Sequence, residues 1–243
     1  MTGINVDGRG ATVEGRGVQA GEVSALPDSA IHRWILDDVN GTISDSIGSV
    51  DGSNSGVTSV SGTYQGGSAG YGDGGDLIDM GVSLSQHAQD LTQSNFSFAY
   101  TIDDYTGGSN DPIYGGEVQN NVKFVMDDFG PGINFIGEGP GGNGLRVRAS
   151  DGSLVDDGNK HRVVWICDGL TGSDWRLYVD NTEVSTTVDR DEGLSEFVDE
   201  PMYMFSTGEG NNYITAVLDD VIIYGDLLTA TEVDGDYNAQ PWT

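Results

Sequence analysis

The chain has 243 residues, 36% of them apolar, and its ten Lys and Arg against 39 Asp and Glu give a formal net charge of −29 at pH 7. Apolar residues recur along the whole sequence, which excludes a disordered acidic chain, and the lack of a basic stripe excludes a nucleic-acid partner. The single cysteine, Cys167, excludes an internal disulfide, and no apolar run is long enough to insert into a membrane as a helix.

The acidic residues are spread along the chain rather than gathered in a tail, and its lysines are Lys123 and Lys160. In dilute buffer such a charge repels itself and destabilises the compact state. Molar salt shortens the Debye length to about 3 Å and removes most of this cost. The composition therefore predicts adaptation to a hypersaline medium, with an acidic protein of ordinary salinity as the alternative.

The first 30 residues differ from the rest, because they nearly repeat one pattern, V-D-G-R-G at 6–10 and V-E-G-R-G at 13–17. They carry two arginines against four acidic residues, and their glycines make the segment costly to order alone. We expect residues 1–30 to form an extended assembly arm, by strand addition or docking, in front of a domain that spans residues 31–243. The residues expected to make the contacts of the arm are Val6, Arg9, Val13, Arg16 and Val18.

Short runs of β-branched and aromatic residues, separated by Gly, Asn, Asp and Ser clusters, follow the arm. Residues 40–75 are rich in Gly and Ser and predict long loops between weak strands. The runs that predict strands are 96–102, 122–126, 144–149, 161–167, 175–179, 202–205 and 217–224. About a dozen strands without βαβ spacing predict an all-β fold, an antiparallel two-sheet jelly-roll sandwich.

Alternation within the runs assigns their faces. Trp175, Leu177 and Val179 fall on one face of their run, as in a strand with one buried side. Helical periodicity is nearly absent, and only residues 228–237 favour a helical turn. That segment has a Thr at the expected N-cap and a Glu three residues later, which is the pattern of a capping box.

Three segments carry a family resemblance: W-I-L-D-D-V-N-G-T-I-S-D-S-I-G (34–48), D-G-N-K-H-R-V-V-W-I-C-D-G-L-T-G-S-D-W-R-L-Y-V-D-N-T-E-V (157–184) and L-D-D-V-I-I-Y-G-D-L-L-T-A-T-E-V (218–233). Over residues 31–240 the chain resembles the laminin-G-like, concanavalin A-like jelly-roll domains of extracellular and viral adhesins. The resemblance implies the sandwich fold and a closing strand that turns Leu218, Val221 and Ile223 inward. It says little about the ligand, since one fold hosts many functions.

The same resemblance implies a calcium ion on the rim or outer face of the sandwich, held by an Asp of the last strand and by oxygens near the first. Asp219 matches that Asp, and Asp37 and Asp76 are its expected neighbours. Calcium takes about six to eight oxygen ligands, which carboxylates and loop carbonyls supply. Solvated surface carboxylates are the alternative interpretation of these residues.

Catalytic patterns are missing from the sequence. A retaining glycosidase needs two carboxylates about 5–5.5 Å apart, yet no E-x-D-x-E strand pattern occurs. The histidines, His32, His87 and His161, have no metal-ligand spacing, and the family resemblance implies that His161 is structural. The sequence therefore predicts a protein that is not an enzyme.

Sugar binding is the remaining function toward a small ligand, because exposed aromatic rings offer stacking faces and Asp or Asn side chains bind hydroxyls. Loop tyrosines beside Asp or Asn are the candidates, with ordinary loop tyrosines as the alternative. These residues are Tyr71, Tyr105, Tyr114 and Tyr213.

Two functions fit these patterns. The first is a non-enzymatic structural or adhesion protein on the virion surface of a haloarchaeal virus, such as a capsid turret, spike or tail component. Its arm would bind further copies and other virion proteins, and its jelly roll would bind host surface glycans or a glycoprotein. The lack of a secretory signal pattern and of disulfides agrees with this interpretation. The second is a secreted, extracellular carbohydrate-binding module of a halophilic microbe.

The charge predicts a fold that depends on salt. Transfer from molar potassium chloride to dilute buffer is expected to loosen the structure, because unscreened carboxylates repel one another. Far-UV and near-UV circular dichroism measure this effect. Identical spectra in the two buffers would contradict adaptation to high salt.

Overall fold

The computed structural model describes most of the chain. The described residues are 5–6, 11–12, 26–62, 64–88, 90–106, 111–116, 122–126, 133–149, 155, 157–208 and 213–241. Within them the chain forms many β-strands and two α-helices, α1 (Leu84–Ala88) and α2 (Ala230–Asn238). Neither of these helices has the length and apolar character needed to span a membrane.

The strands follow one another along the chain with mostly short connections. In order they are β1 (Asn5–Val6), β2 (Ala11–Thr12), β3 (Ala30–Trp34), β4 (Thr42–Ile43), β5 (Gly52–Ser55), β6 (Thr58–Ser61), β7 (Ser68–Asp73), β8 (Leu77–Ser83), β9 (Asn95–Thr106), β10 (Asp111–Gly116), β11 (Val122–Met126), β12 (Ile133–Glu138), β13 (Gly144–Ala149), β14 (His161–Asp168), β15 (Arg176–Val179), β16 (Thr182–Val184), β17 (Thr186–Asp191), β18 (Pro201–Met204) and β19 (Thr215–Tyr224). Every run predicted to be a strand overlaps one of them, so these predictions are confirmed. Residues 40–75 contain β4 to β7 and hold more strand than their Gly- and Ser-rich sequence suggests.

The strands pair into two large sheets and one small one. The first sheet has the order β17-β13-β12-β11-β10-β18-β8-β5-β4, and the second sheet has the order β16-β15-β14-β9-β19-β7-β6, with β3 also paired to β19. β1 and β2 pair only with each other. All described strand pairs are antiparallel, and the chain is the predicted all-β sandwich.

Apolar side chains of both sheets fill the space between them. The ring of Phe135 in the first sheet lies 4.0 Å from that of Trp175, centroid to centroid, and Trp165 of the second sheet lies 6.4 Å from Trp175. All three are almost completely buried, and burying an apolar side chain contributes about 1.5–3 kcal/mol. Leu177 and Val179 share this core with Trp175, as the alternation predicts.

β19 lies in the middle of the second sheet. The alternation of its inward-pointing and outward-pointing side chains is interrupted once. Leu218, Val221 and Ile223 all point into the core, although residues on one face of a regular strand are an even number of positions apart. The register shifts after Asp219, and Asp220 has φ 44°. This irregularity is a β-bulge that brings the later residues back to the core face, and the predicted inward orientation is confirmed.

Helix α2 lies on the outer face of the second sheet. Thr229 and Glu232 form the predicted capping box, in which the Thr229 N–H donates to the Glu232 carboxylate at 2.8 Å. The side chains that pack between α2 and the sheet form an outer cluster. Its members are Ala99, Val164, Ile166, Tyr178, Ile222, Tyr224, Leu228 and Val233. Leu26 and Ala30, near the end of the predicted arm, also pack against it.

A buried arginine joins α2 to the sheet. Arg162 of β14 donates through Nε and Nη2 to the two carboxylate oxygens of Asp236 on α2, both at 2.7 Å. Its Nη1 donates to the backbone carbonyl of Asp220 at 2.6 Å. The Tyr224 hydroxyl donates to Asp236 as well, at 2.5 Å. Such a bidentate pair fixes both position and orientation.

Asp220 extends this arrangement to two further elements. Its carboxylate accepts from Arg33 of β3 at 2.5 Å and from the Gln240 amide after α2 at 2.7 Å. These side chains form a buried polar network, whose members are Arg33, Arg162, Asp220, Tyr224, Asp236 and Gln240. Because Arg162 and Asp220 have no exposed side-chain surface, their charges depend on one another for compensation.

We predict that Asp236→Asn destabilises the chain by about 3–5 kcal/mol, because breaking one side of a buried pair leaves an uncompensated charge. The double change of Asp236→Leu with Arg162→Met is expected to recover part of this loss. Urea unfolding at fixed high salt measures both.

The exposed pair of Arg148 and Asp189, 2.8 Å apart, is the matched control. Asp189→Asn is expected to cost less than about 1 kcal/mol, as surface pairs do. Equal losses for Asp189→Asn and Asp236→Asn would contradict a special role for the buried pair.

Candidate functional site

An open cleft lies on the outer face of the second sheet. Val217 of β19 is opposite both Tyr71 of β7 and Asp103 of β9, and register partners share one face of a sheet. The neighbouring Leu218 points into the core, so these three side chains project outward. We call this the outer cleft; its described lining is Val60, Ser61, Tyr64, Tyr71, Asp103, Gly158 and Val217.

The outer cleft is large enough for a small organic ligand. Its volume is about 450 Å³, within the range of about 300–1,000 Å³ that is usual for such sites. Two tyrosines, a carboxylate and a serine hydroxyl meet there. Four neighbouring strands, β6, β7, β19 and β9, carry part of the lining, and groups on strands are positioned more precisely than groups on loops.

Tyr64 enters the cleft from the connection between β6 and β7. A 3₁₀ turn, Gln65–Gly67, follows it, and the turn requires glycines because Gly66 and Gly67 have φ 77° and 90°. The Gly67 N–H donates to the Tyr64 carbonyl at 2.9 Å. The Tyr64 hydroxyl donates to Asp103 Oδ2 at 2.8 Å, so the far end of the ring is fixed to β9.

Lys160 approaches Tyr64 from the segment that precedes β14. Its Nζ lies 5.3 Å from the centroid of the Tyr64 ring, within cation–π range, and donates to the Pro241 carbonyl at 3.0 Å. Burial lowers the pKa of Lys160, and the charges of Asp103 and Asp219 act in the opposite direction. The ammonium therefore links the Tyr64 side of the cleft to the residues after α2.

One predicted sugar-binding tyrosine lies in the outer cleft. Tyr71 is part of its lining, and its role toward a glycan stays a prediction. Tyr213 is half-buried, forms a bridge to Ser206, and is not among the described residues of the lining. The side chain of Tyr105 lies outside the described residues.

Tyr114 does not lie in an exposed loop, as the sequence predicts, but in the core. The sequence D-P-I-Y-G-G suggests a loop, but the structure places Tyr114 in β10, paired with β11 and β18. Its side chain is 1% exposed, and its ring stacks on Phe98 at 4.6 Å. The expectation of an exposed stacking face is wrong for this residue, because long-range strand pairing outweighs the local turn residues.

Tyr64 was missed at the sequence level. It lies in the Gly- and Ser-rich residues 40–75, where no periodicity indicates a face. Its bond to Asp103 joins residues 39 positions apart, and only the strand pairing brings them together. A tyrosine flanked by Ser, Thr and Gly in a loop-like segment is the one local feature that could have pointed to it.

The three predicted calcium ligands do not form a common cluster. Among the described residues, no group of three or more His, Cys, Asp or Glu side chains could hold a metal ion. Asp219 is buried and accepts the Leu36 N–H at 3.1 Å, whereas Asp37 is exposed. Asp76 accepts the Asp73 N–H at 3.0 Å in a tight turn. Calcium at Asp219 stays a prediction that rests on the resemblance.

Most of the predicted arm lies outside the described residues, including Arg9, Val13, Arg16 and Val18. Val6 is described only as backbone, in β1. There it lies opposite Ala11 of β2. The assembly contacts of the arm stay a prediction.

The family comparison agrees with the fold. Residues 74–234 match the Laminin G 3 family, described as Concanavalin A-like lectin/glucanases superfamily. The chain belongs to this family. The match covers the cleft strands β9 and β19 and ends within α2, and it begins after β6 and β7, which carry Val60, Ser61 and Tyr71 of the cleft. The comparison with curated proteins finds no match.

Solved structures that resemble this Laminin G 3 protein include binding domains and enzymes. The binding domain of Paraclostridial Mosquitocidal Protein 1 is similar at a TM-score of 0.65 and 14% identity, covering 90% of this chain and 53% of that one. Trypanosoma rangeli sialidase in complex with the inhibitor DANA is similar at 0.60 and 14%, covering 88% and 33%. These similarities show the fold, and this chain spans 53% of the first relative and 33% of the second.

A third similar structure matches almost end to end. Domain 4 of AbnA, a GH43 extracellular arabinanase from Geobacillus stearothermophilus, in complex with arabinotriose, is similar at a TM-score of 0.56 and 15% identity. The similarity covers 86% of this chain and 98% of that one. The fold of this chain is therefore also the fold of one separate domain within a larger enzyme.

If calcium binds at Asp219, we expect calcium to raise the Tm of the wild-type chain but not that of the Asp219→Asn variant. Asn keeps an oxygen for the Leu36 N–H and removes the charge that calcium requires. Calcium at about 100-fold excess over Kd would stabilise the folded chain by about 2.7 kcal/mol. Calorimetry in calcium and in EDTA measures the difference, and an equal wild-type Tm in both would remove the site.

Proposed function

We propose that this chain is a non-catalytic carbohydrate-binding domain and that its ligand occupies the outer cleft. The observation that carries the proposal is the position of Tyr64 and Tyr71 beside the Asp103 carboxylate, in a cleft of about 450 Å³ on one sheet face. The membership of the chain in a lectin and glucanase superfamily supports the same class of ligand.

The chemistry of the cleft suits a sugar. Tyrosine rings offer apolar faces to the C–H side of a pyranose or furanose, and they keep a hydroxyl for hydrogen bonding. A carboxylate has two oxygens and about four acceptor positions, so Asp103 can accept a sugar hydroxyl in addition to Tyr64. The bond between these two residues sets the ring orientation before the ligand binds, which lowers the entropic cost of binding.

Binding without hydrolysis is the better supported activity. Most glycoside hydrolases act through a pair of carboxylates that flank the glycosidic bond, about 5–9.5 Å apart, whereas sialidases use a tyrosine nucleophile. Asp103 is the carboxylate among the described residues of the cleft lining. The similarity to a sialidase shows a shared fold, and the similarity to domain 4 of an arabinanase is to a structure of that domain in complex with arabinotriose. We therefore infer recognition of a glycan rather than its cleavage.

The site of action proposed from the sequence is the surface of a halophilic virus particle, with a secreted module of a halophilic microbe as the alternative. The near-neutral, repeated N-terminal segment in front of an acidic domain supports an anchoring role. In either setting the domain would display its outer cleft to glycans.

We expect the chain to bind a neutral or acidic oligosaccharide saturably, and we expect Tyr71→Ala to weaken this binding. The panel is arabinotriose, cellotriose, N-acetyllactosamine and sialyllactose, each titrated by calorimetry at high salt. The expected loss is roughly three- to tenfold, because an aromatic contact contributes about 0.5–1.5 kcal/mol. Tyr203→Ala is the matched control, since Tyr203 is half-buried on the first sheet, between the inward-facing Met202 and Met204.

Three outcomes would contradict this function. If no member of the panel binds, the proposed ligand class is excluded within that panel. Equal weakening by Tyr71→Ala and Tyr203→Ala places binding outside the outer cleft. Release of shorter sugars from a panel member, lost in Asp103→Asn, would make the chain a hydrolase.

A further inference from the structure

One short segment, which precedes β14 of the second sheet, forms part of the outer cleft. Gly158 lines the cleft, and Lys160 lies against the ring of Tyr64. The next residue, His161, begins β14. The position of this cleft wall, residues 157–160, therefore depends on how the segment is held where it joins the strand.

His161 holds the segment between two carboxylates. Its Nε2 lies 2.9 Å from Asp157 Oδ1, and its Nδ1 lies 2.7 Å from Asp180 Oδ2. Asp157 also accepts the Asn159 N–H at 2.8 Å, which closes the wall into a compact turn. The imidazole is 8% exposed, so water replaces these contacts poorly.

The two carboxylates differ in how firmly they are held. Asp180 lies in the turn between β15 and β16, at φ 49°, and its Oδ1 accepts the backbone N–H of Arg162 at 2.9 Å. Asp157 and Asp180 are similarly accessible, at 43% and 36% of their side chains, but the backbone donor to Asp157 is Asn159, in its own short turn. If one of the two bonds to His161 is lost, Asp157 is the partner that is free to move.

The proton count makes this arrangement sensitive to protonation. Imidazolium donates from both ring nitrogens, but neutral imidazole has one N–H, and two carboxylates cannot both accept from it. Burial lowers the pKa of His161, yet the bonds to Asp157 and Asp180 outweigh it and leave the pKa raised above 6.5. The bond to His161, followed by those from Asn159, lowers the pKa of Asp157 to about 2.

The surrounding charges favour the same state. The titratable groups that face His161 from the described elements are the carboxylates of Asp157 and Asp180 and the hydroxyl of Tyr237 on α2. Burial and the charge of Asp180 raise the pKa of Tyr237, so the tyrosine stays neutral. Asn181 donates to Asp234 of α2 at 2.6 Å and fixes the turn that carries Asp180.

We propose that His161 is a positioning residue of the outer cleft, and that its imidazolium form holds the 157–160 wall and Lys160 in place for an oligosaccharide. Loss of the proton releases Asp157, loosens the wall and weakens binding. This inference rests on the proposed function for its ligand. Because the pKa of His161 is raised in the folded chain, both bonds from its imidazolium are present below pH 6.5. They are lost as the pH rises through the pKa of His161 in the folded chain.

The test follows the full chain by NMR in high salt from about pH 5.5 to 8.5, the range in which histidine titrates. The Asn159 amide and the Tyr64 ring resonances are expected to shift with the same midpoint as His161. The tightest-binding member of the oligosaccharide panel is expected to lose roughly three- to tenfold in affinity across that midpoint, the range for one hydrogen bond. His161→Gln is expected to abolish the pH profile, whereas His32→Gln, which alters the bond to Asp45, keeps it.

Each outcome separates this inference from the proposed function. A titrating His161 with a Tyr64 ring that does not shift overturns the coupling, whatever the sugars do. Binding that is independent of pH in the wild-type chain overturns it too and leaves the glycan function intact. A Tyr64 ring that follows His161, with no member of the panel bound at either pH, supports the coupling and removes the proposed ligand.

Discussion

The bidentate pair of Arg162 and Asp236 determines how the outer face of the second sheet is used. A fully buried guanidinium needs compensation for its charge, and the carboxylate that supplies it lies 74 positions later, on α2. The pair fixes the helix over the apolar outer cluster and leaves the neighbouring region of the sheet open. Asp220 joins the same arrangement through Arg33 and Gln240. The outer cleft is therefore the part of this face that the helix does not cover.

The cleft and the buried polar network share one segment. Within residues 157–162, Gly158 lines the cleft and Lys160 lies over the ring of Tyr64. His161 contacts two carboxylates, and Arg162 reaches Asp236 of α2. Each of these contacts is polar or charged, in a chain whose net charge is −29. Basic residues are scarce, with ten in the whole sequence, and Lys160 and Arg162 are both engaged here. The outer cleft and the buried polar network therefore draw on neighbouring cations of one segment.

Much of the fold could be predicted from the sequence, because strands with one buried face alternate and turns have characteristic residues. The inward face of Trp175, Leu177 and Val179 and the capping box of α2 are local patterns of this kind. The site depends on long-range pairing, which local patterns do not report. Tyr64 lies in a glycine-rich segment without periodicity, and Tyr114 lies in a strand whose residues resemble a loop. Arg162 occupies a position that alternation assigns to the outer face, with no local sign of its partner.

A crystal structure with the best-binding oligosaccharide of the panel would show where the ligand lies. We expect electron density for a sugar ring in the outer cleft, in contact with Tyr64 and Tyr71 and with a hydroxyl on Asp103, while α2 stays in place through Arg162. A sugar bound on the first sheet or between the rim loops, with an empty outer cleft, would contradict it.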